Sequence, residues 1–329
     1  EQRLGVKHIQ ERDSLSGVLY ALGAYGSWGL VPLYFQALGA AGVSVWEILA
    51  HRIVWSLLLL ALVLTASRQW TSLVVHLRQW RTGIYLLATA ALLAINWCVF
   101  IYGVNHDQVV ETSLGYFINP LVSVVLGMLF LGERLRPGQW LALLLAGAGL
   151  VYRVYAAGTI PWIGLVLACS FGTYGLLRKL APIHGLLALT AEMFLLLPGA
   201  LVFLIDKTAN GTGAFGESVS ITVLLLFSSL VTVVPLFCFG QAVRHLRMST
   251  LGFLQYIGPT TQFLIAVLAL GESFGPQRQV SFGLIWAGLA VFSVEAFLLY
   301  RSPGGWNEPA SPQMPDWVST SVPETTTAE

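Results

Sequence analysis

The chain has 329 residues, 56% apolar and only 10% charged, with a mean hydropathy of +0.74 and a formal net charge of +1. Soluble proteins carry about 25% charged residues, so this chain lacks the side chains to cover a water-facing surface, and it has no polycationic face for nucleic acid. A soluble two-domain protein is excluded, because the apolar blocks of roughly 20 residues match a hydrocarbon core about 30 Å thick.

Reading apolar runs against breaks of charge, Gly or Pro predicts an all-α integral membrane protein with ten spans. The first, 16–38, follows a charged segment, 1–15, and reads as a retained span rather than a cleaved signal peptide. It carries Trp28, Pro32 and Tyr34. The second, 45–66, contains WEILAHR. Four-residue spacing puts Glu47 and His51 on one helical face, with Arg52 turned by about 100° and roughly 7 Å deeper than Glu47. A charge inside a span by default marks a pathway or an inward-facing pair. In the competing reading Arg52 snorkels to the headgroups and Glu47 caps the helix.

The third span, 83–103, holds Asn96 and Trp97, which with Trp28 sits too deep for an interfacial belt and suits a cavity lining. The fourth, 111–131, holds SLGYFINP. There Pro120 frees a carbonyl and kinks the helix, with Tyr116 and Asn119 beside it as neutral hydrogen-bonding groups. The fifth and sixth, 139–156 and 160–178, add Ser170 and Tyr174; the seventh, 186–205, places Glu192 about six residues from the inner face. A carboxyl held out of water there is the kind of group with which a carrier loads and releases a proton. After the eighth span, 221–241, the ninth, 250–270, repeats the polar pattern as TLGFLQYIGP, with Gln255, Tyr256 and a second kink at Pro259. The tenth is 281–300. Helix packing around a kink competes with cavity lining at both prolines.

Glu133 and Glu272 each follow a Gly and read as solvated carboxylates at helix stops, and Glu295 as interfacial. Cys98, Cys169 and Cys238 fall in three different spans without CxxC or metal spacing and are expected in the core. Residues 302–329, with five prolines and no Lys or Arg, read as a disordered tail.

Basic residues set the orientation. With the N-terminus inside, the inner segments hold thirteen: Arg3, Lys7, Arg12, Arg68, Arg78, Arg81, Arg134, Arg136, Arg178, Lys179, Arg244, Arg247 and Arg301. The outer loops hold Lys207 and Arg278, so both termini are expected in the cytoplasm. An internal repeat adds a second constraint. Pro120, Gly132, Glu133, Pro137, Ala148, Gly149 and Leu150 recur 139 residues later as Pro259, Gly271, Glu272, Pro276, Ala287, Gly288 and Leu289. Weaker echoes pair Ser27 and Gly29 with Ser170 and Gly172, and Glu47 with Glu192. The unit is five spans, and because five is odd the second copy is inverted, a plan that places a substrate site near the midplane of secondary transporters.

The segments GVLYALGAYGSWGLVPLYFQAL, WEILAHRIVWS, ETSLGYFINPLVSVVLGMLFLGERL and LRMSTLGFLQYIGPTTQFLIAVLALGE closely resemble the RarD proteins of the EamA branch of the drug/metabolite transporter superfamily. The likeness runs over about residues 16–300. It implies ten transmembrane helices as two inverted five-helix EamA repeats, 16–156 and 157–301, in the cytoplasmic membrane, and small-molecule transport.

The expected function is therefore secondary export of small organic metabolites or drugs by alternating access with proton coupling. Glu192 and the Glu47, His51 and Arg52 group would act at opposite ends of one pathway. The expected partners are a small-molecule substrate, the lipid bilayer and protons, with a homodimer left open; no cofactor or metal is expected. A primary pump would need a phosphate loop, and the chain has no GxxxxGK followed by Ser or Thr. The alternative is an intramembrane enzyme with His51 as base and Glu47 as its partner, His51 being the one histidine of six inside a predicted span.

Overall fold

The computed structural model describes residues 2–132, 135–180, 183, 185–245 and 254–301. Glu133 and the tail expected to be disordered lie outside them. Among the described residues the regular elements are all helices: α1 (Gln2–Ala40), α2 (Val45–Ser67), α3 (Trp70–Leu77), α4 (Trp80–Asn105), α5 (Val109–Leu131), α6 (Pro137–Ala157), α7 (Trp162–Leu180), α8 (Gly185–Ala209), α9 (Val219–His245), α10 (Ile257–Leu264) and α11 (Pro276–Arg301). Seven are long and apolar enough to cross a membrane, namely α1 from Ser16, α2, α4, α5, α6, α8 and α9; Trp162–Arg178 and Ile257–Ala269 are shorter apolar helices.

Helix ends follow local chemistry. Ser44 caps α2, its Oγ accepting the Glu47 N–H at 3.3 Å. Pro137 opens α6, where its missing N–H costs nothing. Gly132 and Gly158 close α5 and α6 in the left-handed region, both at φ 66°, which glycine adopts without strain. Three features differ from expectation. α1 runs back to Gln2, so 2–15 continues the helix. The eight-residue α3 was not foreseen, being too short to register as a span; Leu73 buries it against Leu64, Leu86 and Ala188. Pro259 lies in the first turn of α10 rather than in a helix interior, where it starts the helix instead of kinking it, whereas Pro120 does lie inside α5.

Apolar side chains such as Val202, Leu144 and Leu268 face outward, while Glu47, His51, Arg52, Asn96, Glu192 and Gln262 are buried inside. That arrangement suits lipid as the surrounding solvent. It also explains why Cys169 is exposed and Cys98 and Cys238 only half-buried, contrary to the expected core placement: on an outward face of such a bundle, a small apolar thiol loses nothing.

The helix pairs come in mates. α1 packs on α9 and α10 as α7 packs on α4 and α5; α2 packs on α9 as α8 packs on α4; α2 with α8, α5 with α10 and α6 with α11 complete the set. Small residues allow the closest approaches. A Cβ on Gly149 would come within 2.8 Å of the Ser281 carbonyl oxygen, and one on Gly288 within 2.8 Å of the Ala142 carbonyl oxygen. Gly288 follows Gly149 by the same 139 residues as Ser281 follows Ala142. Ser281 Oγ also donates to the Gly149 carbonyl at 2.8 Å. Likewise Gly29 of α1 abuts Thr261 of α10, and Gly172 of α7 abuts Val122 of α5.

Two carboxylates seal helix ends across the bundle. Glu272 is 9% exposed, not solvated as expected, and accepts the N–H groups of Val109 and Val110, the latter at 2.9 Å. These are orphan donors at the start of α5. Burial pushes the Glu272 carboxyl up, and the two donors pull it part of the way back. Glu295 accepts the Gly138 N–H at the start of α6 at 3.0 Å.

Gly149→Ala and Gly288→Ala are expected to destabilise the detergent-solubilised protein by similar amounts, about 1–3 kcal/mol each. Gly147→Ala, whose Cβ would meet nothing within 4 Å, should leave the thermal midpoint unchanged. Glu272→Ala should cost about 1–3 kcal/mol by orphaning two buried donors, with Glu272→Gln in between. Thermal unfolding of the purified variants checks both sets.

Candidate functional site

The centre of the bundle is organised by Arg52 on α2. It is 7% exposed, and its Nε–H donates to Thr232 Oγ1 on α9 at 2.7 Å. Its Cζ lies 3.8 Å from the centroid of the Trp97 ring and 5.5 Å from that of Phe35. The guanidinium therefore rests on an aromatic face, a cation–π contact strengthened by exclusion of water. Among the described residues no carboxylate lies within ion-pair distance of it, and its terminal nitrogens have no hydrogen-bond partner.

Beside it runs a neutral polar network. Tyr116 Oη on α5 donates to Asn96 Oδ1 on α4 at 3.2 Å. Asn96 Nδ2 in turn donates to Ser170 Oγ at 3.0 Å and the Leu167 carbonyl at 3.2 Å, both on α7. Asn119 Oδ1, one turn from Tyr116, is buried without a partner. Rings of Phe35, Phe100, Tyr116 and Phe171 follow one another at centroid distances of about 6 Å. Trp97, Asn96, Tyr116 and Arg52, drawn from three predicted spans, thus meet in one place.

Other predicted residues lie around this centre. Trp28 is packed with Tyr25 and Phe239, and its carbonyl accepts from Gln262 Nε2 at 3.1 Å. Gln255 is half-buried in the turn before α10. Tyr256 lines a separate groove of about 400 Å³ between α5, α10 and α11, with Phe117, Phe263 and Trp286, and its hydroxyl is buried without a partner.

Glu47, His51 and Arg52 do not form one cluster. Glu47, buried, turns away and accepts the Ala214 N–H of the α8–α9 loop at 2.6 Å. His51 Nδ1 accepts from Trp55 Nε1 at 3.1 Å, and its ring stacks on Phe215, 5.0 Å between centroids. The two residues thus hold the loop over this end of α2, and only Arg52 faces the centre. The reason is the 100° step per residue: neighbours on a helix point to different partners.

Glu192, expected as a carboxyl held out of water, is buried and has a partner. Arg178 on α7 places Nη1 3.6 Å from its carboxylate, and Tyr174 Oη donates to it at 3.4 Å. The carboxylate is fully buried, whereas Arg178 is partly exposed, so the pair sits at a border of the core.

Thr232, Phe35, Gln262, Phe215 and Arg178 escaped the sequence reading. Thr232 and Phe35 carry no distinguishing motif, and their relation to Arg52 comes from α9 and α1 packing on either side of α2 and α4. Arg178 was legible only as one more basic residue of an inner loop. Among the described residues no group of three or more His, Cys, Asp or Glu side chains could hold a metal ion.

Comparison with known proteins agrees with this architecture. Residues 15–154 match the EamA-like transporter family. A protein of Vibrio cholerae named an uncharacterized transporter is 44% identical, over 87% of this chain and 94% of its own. Protein RarD of Escherichia coli is 42% identical, over 89% of this chain and 99% of its own. One solved crystal structure, 18% identical, superposes with a TM-score of 0.56 over 86% of this chain and 99% of that one, a likeness of fold. With sequence identity at this level along nearly its whole helical region, the chain belongs to the RarD group of EamA-type membrane transporters.

Proposed function

We propose that the chain is a secondary carrier that exports small organic metabolites or drugs by alternating access, driven by protons. Ten spans form two inverted five-helix units, 16–156 and 157–301, with both termini in the cytoplasm of a cell whose cytoplasmic membrane it occupies. The mated helix pairs and the reciprocal Gly149 and Gly288 contacts support the inverted plan. The distribution of basic residues supports the orientation.

The observation that carries the carrier reading is the central position of Arg52. A cation with no carboxylate partner among the described residues, bound to Thr232 of α9 on one side and stacked on Trp97 of α4 on the other, lies where α2 packs on both helices. Burying it without a counter-charge is costly, and such a cost is retained where the group meets a ligand. The enzyme alternative gains little: Glu47 is committed to the Ala214 amide and His51 Nδ1 to Trp55, so both serve to hold the α8–α9 loop and no hydrogen bond joins them as base and partner.

Proton coupling is assigned to Glu192. Ionised, it attracts Arg178; protonated, it releases that cation while keeping its hydrogen bond to Tyr174, which changes the joint between α7 and α8. Proton binding at Glu192 would thereby bias the two faces of the cycle.

Metabolite profiles of cells with and without the protein, followed by flux of each differing compound in proteoliposomes, test the carrier reading. Counterflow of at least one compound is expected; covalent alteration of a compound without flux would move the protein to the enzymes. Glu192→Gln should abolish accumulation driven by a pH gradient, by at least about tenfold, yet leave downhill exchange in place. Full gradient-driven accumulation in that variant would remove the coupling role.

A further inference from the structure

We infer that the substrate is an organic monoanion whose carboxylate binds the terminal nitrogens of Arg52, with a ring-bearing apolar body against the aromatic wall of Phe35, Trp97, Phe100 and Tyr116. This inference rests on the carrier reading above and names its ligand class.

Arg52 is always protonated, and it is 7% exposed. The acidic group nearest in sequence, Glu47, is engaged by the Ala214 amide; of the other buried carboxylates, Glu192 is paired with Arg178 and Glu272 is held by the Val109 and Val110 amides. Among the described residues the centre therefore holds one uncompensated positive charge. A monoanion neutralises it; a neutral compound leaves the cation desolvated, and a cation adds repulsion.

Geometry narrows the class. Nε–H is already bound to Thr232, and Trp97 covers one face of the guanidinium plane. What is left is the edge carrying the two terminal nitrogens, whose parallel N–H groups match a planar carboxylate. Thr232 Oγ1 itself donates to the Ser228 carbonyl at 2.9 Å. The chain Ser228, Thr232, Arg52 thus fixes the orientation of that edge from α9. Phe35 and Phe100 meet edge to face at 6.0 Å, and Tyr116 follows at 5.8 Å from Phe100. Such a wall accepts the flat, apolar part of a ligand.

The test uses the full-length protein in detergent at neutral pH. Dissociation constants are measured from thermal shifts for benzoate, phenylacetate and indole-3-acetate, each against its carboxamide, with inorganic phosphate as a further anion. At least one acid should bind at least about tenfold more tightly than its amide, and phosphate should produce no comparable shift. Arg52→Gln should erase the preference, and Arg52→Lys, which keeps the charge without the fork, should reduce it several-fold. Should Arg52→Gln fail to fold, Thr232→Val, which frees Nε, should weaken the acid several-fold and leave the amide unaffected. A wild-type protein that binds none of the acids, binds acid and amide alike, or prefers phosphate overturns the inference. Proteoliposomes separate the two levels. Flux of neutral or cationic compounds, unaffected by the acids, leaves the carrier and removes the carboxylate; absence of flux for every compound removes the carrier itself.

Discussion

A polar group on a membrane helix has no water to turn to, so it must face inward and find its partner on another element. In this protein the partner repeatedly lies on the other side of the α6–α7 connection. Arg52 meets Thr232, Asn96 meets Ser170, Gln262 meets the Trp28 carbonyl, Tyr34 meets the Leu224 carbonyl and Ser281 meets the Gly149 carbonyl. The carboxylates behave alike, with Glu47 on Ala214, Glu272 on Val109 and Val110, and Glu295 on Gly138. Hydrogen bonding within the bundle is therefore also the joinery between α1–α6 and α7–α11.

Close packing completes that joinery. α6 and α11 approach through Gly149 and Gly288, α1 and α10 through Gly29, and α5 and α7 through Gly115 and Gly172. With lipid outside, apolar side chains gain little by leaving the surface, and contact area between backbones and side chains has to supply the cohesion. In two seams, α6–α11 and α1–α10, a polar bond and a glycine contact coincide. A movement between the two groups of helices must break or trade the polar bonds before the packed surfaces slide.

Against this background Arg52, which is buried, and Arg178, which is partly exposed, differ. Arg178 has Glu192 beside it and sits at the edge of the core, so its charge is balanced and close to water. Arg52 has an aromatic ring, a hydroxyl and, among the described residues, no carboxylate. In the function proposed above, the first switches with a proton and the second holds an anion. The loop over α2, clasped by Glu47 and stacked through Phe215 on His51, covers the end of the helix from which Arg52 projects.

The positions of most helices were legible in the sequence to within a few residues, because the length and polarity of a span answer to bilayer thickness and not to neighbours; the exceptions are α3, the start of α1 at Gln2 and the short α10 in place of a span over 250–270. Arg52, Asn96, Trp97 and Tyr116 were legible as candidates for the same reason: a polar or bulky group in an apolar run stands out. Their mutual arrangement was not. Glu47 and Arg52, five residues apart on one helix, serve a loop and a core because of helical twist and of what packs on each face. Glu192 looked solitary until α7 brought Arg178 and Tyr174 to it, and Glu272 looked solvated until its loop met the start of α5. The sequence by itself determined a chain of membrane-spanning apolar blocks with its few charges at nameable places, since the solvent acts on each block separately. The tertiary structure alone decided which charges found partners, because pairing depends on helices that are distant in the chain and adjacent only after packing.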